Sequence, residues 1–293
     1  MLAALAFGSS APLAKTLVGE MPRMTLSMLW YVGAGLGLVV ISLVRPHGKE
    51  VPLGRADIPR LLVVSVTGGL APFLQIVGLQ HVSGVTGALL LGLELPFTAL
   101  VAVLAFREKL KLREIAGIAV IFAGGALLGI GDPGAGENAT IGVLATVAAC
   151  GVWAVDSNLT QRLAGRDPLA VARIKTLSAA FLVSLVFMVA NLPLPDDRVL
   201  IAKGLLVGFL SYGVSEVLFI AAMRHLGATR TGGVFATASF LGAFVAIPLL
   251  RVVPSFLAWS AGAVMATGVF LMLSGAQLER RVQDPGRARP ETP

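Results

Sequence analysis

A long apolar run, Ser83–Leu110, with the sequence SGVTGALLLGLELPFTALVAVLAFREKL, constrains this chain more than any other feature. It has no basic residue until the cluster that begins at Arg107. Such a length is typical of a transmembrane helix rather than of a helix buried in a soluble core. One acid, Glu94, lies near its middle. A carboxyl group at that depth is costly in hydrocarbon, which indicates a functional residue.

The composition extends this interpretation to the whole chain. Of its 293 residues, 56% are hydrophobic and 13% are charged, against roughly 25% charged in soluble domains. The 34 glycines suit closely packed membrane helices. The net charge of +7 comes from residues in short loops and the C-terminal tail, so we expect a lipid bilayer and no nucleic acid as partner.

Hydropathy predicts an all-α integral membrane protein with ten transmembrane helices. The turn-rich segments between them are short, and the tail after Gln277 is charged and rich in Pro and Gly, so we expect it to be disordered. The ten predicted spans are Leu2–Val18, Met24–Val44, Arg60–Leu79, Ser83–Phe106, Glu114–Ile130, Ile141–Leu159, Leu169–Ala190, Val199–Met223, Thr231–Leu250 and Phe256–Ala276.

The distribution of basic residues predicts the orientation. If both termini are cytoplasmic, nearly all of the 23 Lys and Arg residues lie in the inner loops, the inner helix ends or the tail. The exceptions are Lys15, Arg23, Arg198, Lys203 and Arg251. This asymmetry follows the positive-inside rule, so we expect a multi-pass cell-membrane protein with both termini in the cytoplasm.

The two halves of the chain show a weak internal similarity. GLQHVSGVTGALL, which contains His81, parallels AMRHLGATRTGGV, which contains His225 at a separation of 144 residues. Because each half has five spans, the two halves would have opposite orientations, as in many secondary transporters. We therefore predict a first repeat at 1–132, an outer linker at 133–140, a second repeat at 141–277 and a cytoplasmic tail at 278–293.

Four segments carry a resemblance to a known family. FGSSAPLAK, LELPFTALVAVLAFREKL, WAVDSNLTQRLAGRDPLAVARIKTL and RHLGATRTGGVF are similar to EamA-type members of the drug/metabolite transporter superfamily. The resemblance covers essentially the whole chain. It implies two inverted five-helix repeats around a central cavity and transport of small metabolites, often as export.

Two positions depart from the family pattern. The fourth span ends in Arg107-Glu108, whereas the ninth ends in Arg251-Val252 without an acid. The ninth span also has Phe240 near the position where similar sequences place a proline. We therefore expect the second half to lack one helix kink or end contact.

Three charged residues are predicted at a similar depth in three spans. Asp156, Lys175 and Glu216 lie roughly 9 to 12 Å from the same end, at ~1.5 Å per residue. One hypothesis is a structural Asp156–Lys175 ion pair, with Glu216 either pairing with Lys175 or facing a cavity. The other is that these residues form the inner wall of a substrate cavity, in which Lys175 binds an anion.

Glu94 has no evident basic partner at its depth. Burial without a cation favours the uncharged acid, so we consider a proton-coupling or amine-binding role. The structural alternative is a neutral acid hydrogen-bonded across helices to Gln75. Pro96 either exposes a backbone carbonyl to the cavity or only kinks the helix.

The remaining candidates have mainly structural explanations. Lys15 near the outer end of its span is expected to reach the interface, and Pro12 would break that helix toward the cavity. Trp153 and Tyr212 could stack on a substrate ring, although most aromatic residues within membranes serve packing. Asn158 widens the polar face beside Asp156 or bonds between helices.

The chain lacks the motifs of several other functions. It has no GxxxxGK[ST], HExxH or GxSxG motif, and its single cysteine excludes a cysteine-based metal site. We therefore expect no cofactor, no metal and no enzymatic activity; the oligomeric state stays open, a monomer included.

The sequence thus predicts a secondary transporter that moves a small polar metabolite, amino-acid-like or another organic solute, by alternating access. The alternative is an intramembrane enzyme that acts on a lipid-linked substrate with Glu94 and Asp156 as acid and base.

Overall fold

The computed structural model describes residues 1–45, 50–107, 110–130, 138–226 and 228–283. Helices account for nearly all of this part of the chain, and it contains no β-strand. Helices are the expected solution for an apolar chain, because they satisfy every backbone N–H and C=O within one segment. The helices are α1 (Leu2–Gly8), α2 (Ser10–Lys15), α3 (Arg23–Val44), α4 (Ile58–His81), α5 (Gly84–Leu90), α6 (Glu94–Phe106), α7 (Leu112–Ile130), α8 (Ala139–Gln161), α9 (Pro168–Val189), α10 (Arg198–Gly208), α11 (Ser215–Leu226), α12 (Ala228–Phe235), α13 (Ala238–Leu250) and α14 (Phe256–Gln283).

Eight helical runs within the described ranges are long and apolar enough to cross a membrane, and α13 is a shorter apolar helix. The chain is therefore a multi-pass membrane protein. The eight runs are Arg23–Val44, Arg55–His81, Gly84–Ala105, Leu112–Gly129, Ala139–Gln161, Pro168–Val189, Arg198–His225 and Phe256–Ser274.

Four of the ten predicted spans are not continuous α-helices; the eighth contains a π-helical segment, Phe209–Val214, and three others are broken by a turn. The first is divided at Ser9, the fourth by a tight 3₁₀ turn at Leu91–Leu93, and the ninth between α12 and α13. Pro12 and Pro96 each occupy the third position of the helix that follows a break. Proline has no N–H and clashes with the preceding turn, so a continuous helix is disfavoured at both sites.

The break in the ninth span corrects one sequence-based expectation. The second half keeps this break although Phe240 stands in place of proline. The hydroxyl of Thr237 donates to the Val234 carbonyl at 2.7 Å, and that of Ser239 donates to the Ala236 carbonyl at 3.3 Å. Hydroxyl groups that bond to nearby carbonyls compete with the helical pattern, which gives this break a cause other than proline.

The ends of α6 and α13 also match. Both helices have 13 residues, and each is followed by an arginine in the left-handed conformation, with φ of 56° at Arg107 and 52° at Arg251. Both helices therefore end in the same backbone conformation, although the residues that follow the two arginines differ in sequence. The expected loss of an end contact concerns Glu108, which lies outside the described residues, and it stays a prediction.

A π-helical segment, Phe209–Val214, joins α10 to α11 within one long span. It contains Ser211 and Tyr212, both buried. Wide turns of this kind often occur at functional sites, because they change the direction of side chains relative to a regular α-helix.

Glycine contacts bring several helices close together. A Cβ atom on Gly8 of α1 would lie 2.0 Å from the Ala238 carbonyl oxygen, and one on Gly242 would lie 2.2 Å from the Gly8 oxygen. Gly33 of α3 likewise lies against the backbone of Leu205. Small residues allow such backbone approach in membrane proteins.

The fully buried Cys150 of α8 lies beside the break between α5 and α6. Its Sγ donates to the carbonyl of Leu90, the last residue of α5, at 3.4 Å. This contact fixes α8 against the fourth span just before Glu94.

Two regions predicted from sequence lie partly outside the described residues. These are 133–137 of the linker and 284–293 of the tail. Within the described part, α14 continues through Gln283 and is longer than the predicted tenth span.

Candidate functional site

A buried charge cluster joins three helices at the level predicted from sequence. Lys175 of α9 pairs with Asp156 of α8, and its Nζ lies 2.7 Å from Oε1 of Glu216 of α11. The predicted Asp156–Lys175 ion pair is thus present, and Glu216 makes it a triad. The side chains of Lys175 and Asp156 are 7% and 4% exposed, so these charges depend on one another for stabilisation.

Two further hydrogen bonds hold the cluster against neighbouring helices. The hydroxyl of Thr67 of α4 donates to Oδ1 of Asp156 at 2.8 Å. The Tyr31 hydroxyl of α3 donates to the Gly68 carbonyl, beside Thr67. Both oxygens of Asp156 are therefore engaged, which leaves it poorly suited to act as a free catalytic base.

Glu94 is the first residue of α6, directly after the 3₁₀ turn. Its Oε1 accepts a hydrogen bond from the Ser157 hydroxyl of α8 at 2.9 Å. Ser157 follows Asp156 in the chain, so α8 connects Glu94 to the charge cluster. The carboxyl group of Glu94 thus has a neutral hydrogen-bond partner rather than an ion pair among the described contacts.

A small polar cavity lies between Glu94 and the triad. Its volume is about 40 Å³, enough for water but not for a metabolite. Hydroxyl groups and aromatic rings complete its wall. The lining residues include Tyr31, Thr160, Thr176, Ser211, Tyr212 and Phe219.

A second cavity, of about 70 Å³, adjoins the first and is mainly apolar. It extends between the fourth and ninth spans, at the breaks in both. Glu94, Ser157 and three phenylalanines line both cavities. Its other lining residues include Leu91, Leu95, Thr98, Ala236, Ala238 and Ser239.

Phe7 of α1 is the centre of an aromatic cluster around these cavities. Its ring centroid lies 5.3 Å from that of Trp153, edge to face, and 5.1 Å from that of Phe235. Tyr212 stacks on Trp30 at 5.2 Å. Both predicted aromatic candidates, Trp153 and Tyr212, therefore line the polar cavity while they also pack against other rings.

Among the described hydrogen bonds Gln75 is not paired with Glu94, contrary to the structural alternative for that acid. It accepts a hydrogen bond from the Tyr212 hydroxyl, and its amide lies 3.3 Å from the Ser10 hydroxyl of α2. Gln75 and Ser157 lie on different helices around Glu94, and sequence spacing alone does not say which of them faces it.

Two other predicted residues have backbone partners. The amide of Asn158 donates to the Thr98 carbonyl of α6 at 3.1 Å, which corresponds to the interhelical alternative. Lys15 donates to the Leu79 and Val82 carbonyls at 2.5 and 2.7 Å. Lys15 therefore caps the end of α4 instead of only extending to the interface, because the last carbonyls of a helix lack helical partners.

Several cavity residues were not predicted as site residues. Phe7, Tyr31, Thr160 and Ser211 are apolar or weakly polar residues of types that also occur throughout membrane helices. The proline break after Phe7 was the one available signal. The π-helical turn that places Ser211 had no recognisable sequence pattern.

Within the described ranges, no group of three or more His, Cys, Asp or Glu side chains is arranged to hold a metal ion. Carboxyl groups, hydroxyl groups and aromatic faces can instead bind and orient a small organic molecule.

Comparisons with known proteins agree with this architecture. Residues 1–130 and 140–274 match the model of the EamA-like transporter family. A protein described as an uncharacterized transporter, from Methanothermobacter thermautotrophicus, is 30% identical over 288 residues, covering 92% of this chain and 83% of that protein. A crystal structure with 20% sequence identity superposes with a TM-score of 0.69 and 96% coverage of both chains, which shows a shared fold.

Proposed function

The chain belongs to the EamA-like transporter family, and from this premise we propose that it is a secondary transporter for a small polar organic metabolite. The proposed mechanism is alternating access with Glu94 as the coupling residue. The position of Glu94 carries the proposal, because this carboxyl group lies where the polar and apolar cavities meet.

The proposed layout is ten spans in two inverted halves. The family match supports it, since it falls into two stretches of similar length, 1–130 and 140–274. The paired helices α6 and α13 support it as well, because they begin at Glu94 and Ala238, 144 residues apart, and end in the same backbone conformation.

The packing of α7 against α14 is consistent with a two-fold relation. Gly117 lies against Gly268, and Gly124 lies against Ala261. At a separation of 144 residues, Gly117 corresponds to Ala261 and Gly124 corresponds to Gly268. The repeat therefore converts the Gly117–Gly268 contact into the Gly124–Ala261 contact. Two copies of one unit that pack about a pseudo-two-fold axis would produce this exchange.

Ion pairs connect the two halves at one end of the bundle, which we call the basic end. Arg45 lies 3.1 Å from Asp167, Arg166 lies 2.9 Å from Asp57, and Arg224 pairs with Glu50. Each pair joins a residue of the first half to one of the second. We assign this end to the cytoplasm, because basic residues are retained on that side.

The small cavity volumes support a closed conformation, between a form that is open at one end of the bundle and a form that is open at the other. About 40 and 70 Å³ do not accommodate a metabolite. Access therefore requires that the halves separate at one end, and the ion pairs hold the basic end closed. Rocking of one half against the other would open each end in turn.

Proton coupling would use the carboxyl group of Glu94. Hydrocarbon burial disfavours an unpaired carboxylate, so Glu94 can take up a proton when the substrate leaves and release it when the substrate returns. Exchange of protons for solute under an inward proton gradient would result in export.

The test is transport by the full-length protein in liposomes, with a panel of labelled amino acids and amines. We expect a pH gradient to drive flux in the wild type and not in Glu94→Gln. Glu20→Gln is the matched control, because Glu20 is an exposed acid outside the cavity. Gradient-driven flux that is unchanged in Glu94→Gln would remove the coupling assignment.

A further inference from the structure

We propose that the transport site selects amphipathic organic amines, with the ammonium group in the polar cavity and the apolar body in the adjoining cavity. This inference rests on the proposed transport function and specifies its substrate class. Three features of the site carry it: the charge balance, the unsatisfied hydroxyl groups and the arrangement of apolar surface.

The charge balance favours a cation. Three carboxyl groups, those of Glu94, Asp156 and Glu216, line the polar cavity together with one ammonium group, that of Lys175. Carboxylates outnumber the ammonium group even when Glu94 holds a proton. A positively charged ligand lowers the electrostatic energy of such a site, whereas an anion raises it.

Lys175 is poorly placed to bind an anionic substrate. Its ammonium group already pairs with Asp156 and lies 2.7 Å from Glu216. An incoming carboxylate would have to displace one of these acids and leave it buried without a partner, which is strongly unfavourable. Glu94, which has a neutral partner in Ser157, can accept a cation without breaking an ion pair.

Two buried hydroxyl groups in the cavity wall lack hydrogen-bond partners within the described part of the chain. They belong to Thr160 and Ser211, which are 0% and 1% exposed. Buried polar groups are nearly always satisfied, so each unpartnered one indicates a missing ligand or water. Their oxygens can accept hydrogen bonds from an ammonium group.

Aromatic rings provide a second type of cation contact. Trp153 and Tyr212 line the polar cavity, and Phe7 is in contact with both rings. The negative face of an aromatic ring attracts a desolvated cation. The adjoining cavity, with Leu91, Leu95 and Phe235, matches an apolar body attached to that cation.

The test is a calorimetric comparison of three ligands of similar size with the purified full-length protein. The ligands are 2-phenylethylamine, the neutral 2-phenylethanol and the anionic phenylacetate. We expect the amine to bind at least about tenfold more tightly than the alcohol, and phenylacetate to show no binding.

The variants locate the charge that is responsible. Glu94→Gln should weaken amine binding by about tenfold or more and leave the affinity for the alcohol unchanged. Glu94→Asp should retain the amine preference, because it keeps the charge, and Glu20→Gln should behave as the wild type. Equal affinity for the amine and the alcohol, tighter binding of phenylacetate, or no binding of the amine overturns the proposal.

Flux measurements separate this proposal from the transport function. Liposome uptake of phenylacetate without the amine would reject the substrate class and retain the transporter. Amine binding without uptake of any panel member would retain the cation site and reject the transporter.

Discussion

Lys175 supplies one positive charge to two carboxylates within the helix bundle. Asp156 and Glu216 come from different helices, so the ammonium group connects α8, α9 and α11. Loss of the shared cation leaves two acids unpaired, whereas loss of Asp156 leaves the Lys175–Glu216 pair. The three residues of the triad should therefore contribute unequally to stability, although each carries one charge.

Lys175→Met should destabilise the protein more than Asp156→Asn. Removal of one partner of a buried ion pair costs about 3–5 kcal/mol, whereas Asp156→Asn should cost about 1–3 kcal/mol, as for a buried polar group that loses part of its bonding. The measurement is the free energy of unfolding in detergent. The double variant should be more stable than Lys175→Met, because it removes one of the unpaired acids.

Lys203→Met is the matched control for this comparison, since Lys203 is exposed. It should leave the free energy of unfolding within about 0.5 kcal/mol of the wild type. Equal destabilisation by Lys175→Met and Asp156→Asn would contradict the triad.

The level of the charged residues could be predicted from sequence, but their directions could not. A constant rise along each helix places Asp156, Lys175 and Glu216 at one depth. The partner of Glu94 depends on helix rotation, which arises from packing between distant helices. For that reason Gln75 was a reasonable but wrong partner, and Ser157 was found only in the structure.

The broken helices show a similar limit. Proline marked the breaks before Pro12 and Pro96, since its ring disfavours a continuous helix, although α4 continues through Pro72 and α13 through Pro248. The third break, at Thr237, depends on a hydroxyl group and lacks a proline. Serine and threonine occur throughout membrane helices, so their presence alone does not predict a break.

Close packing of α1 against α13 should depend on Gly242. A Cβ atom at this position would lie 2.2 Å from the Gly8 carbonyl oxygen, so Gly242→Ala must push the helices apart. Overpacking of this kind costs about 1–3 kcal/mol. A lower midpoint of thermal unfolding in detergent would show it.

Gly151→Ala is the control for this substitution. Gly151 lies within α8, and beyond its own helical turn a Cβ atom there would have no heavy atom of the described residues within 4 Å. Alanine is the better helix former, so the midpoint should stay the same or rise. A similar loss in both variants would show that the close α1–α13 approach is not responsible.

The contacts that join the two halves of the molecule at the basic end differ from those that join them deeper in the bundle. At the basic end they are joined by partly exposed ion pairs, and deeper in the bundle by glycine contacts. Exposed ion pairs contribute about 0–1 kcal/mol each. Such weak links suit the proposed alternating access, in which this contact breaks once in each cycle.

Removal of charge from the acids at the basic end should open that end. The triple variant Glu50→Gln, Asp57→Asn and Asp167→Asn loses the three ion pairs between the halves, of about 0.2–1 kcal/mol each, together with the pairs of Glu50 with Arg45 and of Asp57 with Arg60 within the first half. A cysteine introduced at Thr176, in the polar cavity, should then react about threefold or more faster with a polar thiol reagent applied from the side of the basic end.

The control removes an acid elsewhere while keeping a helix cap. Asp197 caps α10 through the Val199 N–H at 2.7 Å, and asparagine can make the same bond. Asp197→Asn should leave the labelling rate unchanged. No increase in the triple variant would show that these ion pairs do not close the basic end.

The two proposed repeats differ at Glu94, because the second repeat has no acid at the corresponding position. Ala238 begins α13 at the position that Glu94 occupies in α6, and both line the apolar cavity. The helix break and the helix end are present in both copies. The carboxyl group is therefore not needed to build this part of the fold.

The burial of Cys150 makes the natural chain a ready background for chemical probing. It is the single cysteine in the sequence, and its sulfur is fully enclosed beside Leu90. A polar thiol reagent should leave it unmodified while the helices around it stay packed. Reporter cysteines can therefore be added one at a time, without first replacing a native residue, to follow the helix movements of the proposed transport cycle.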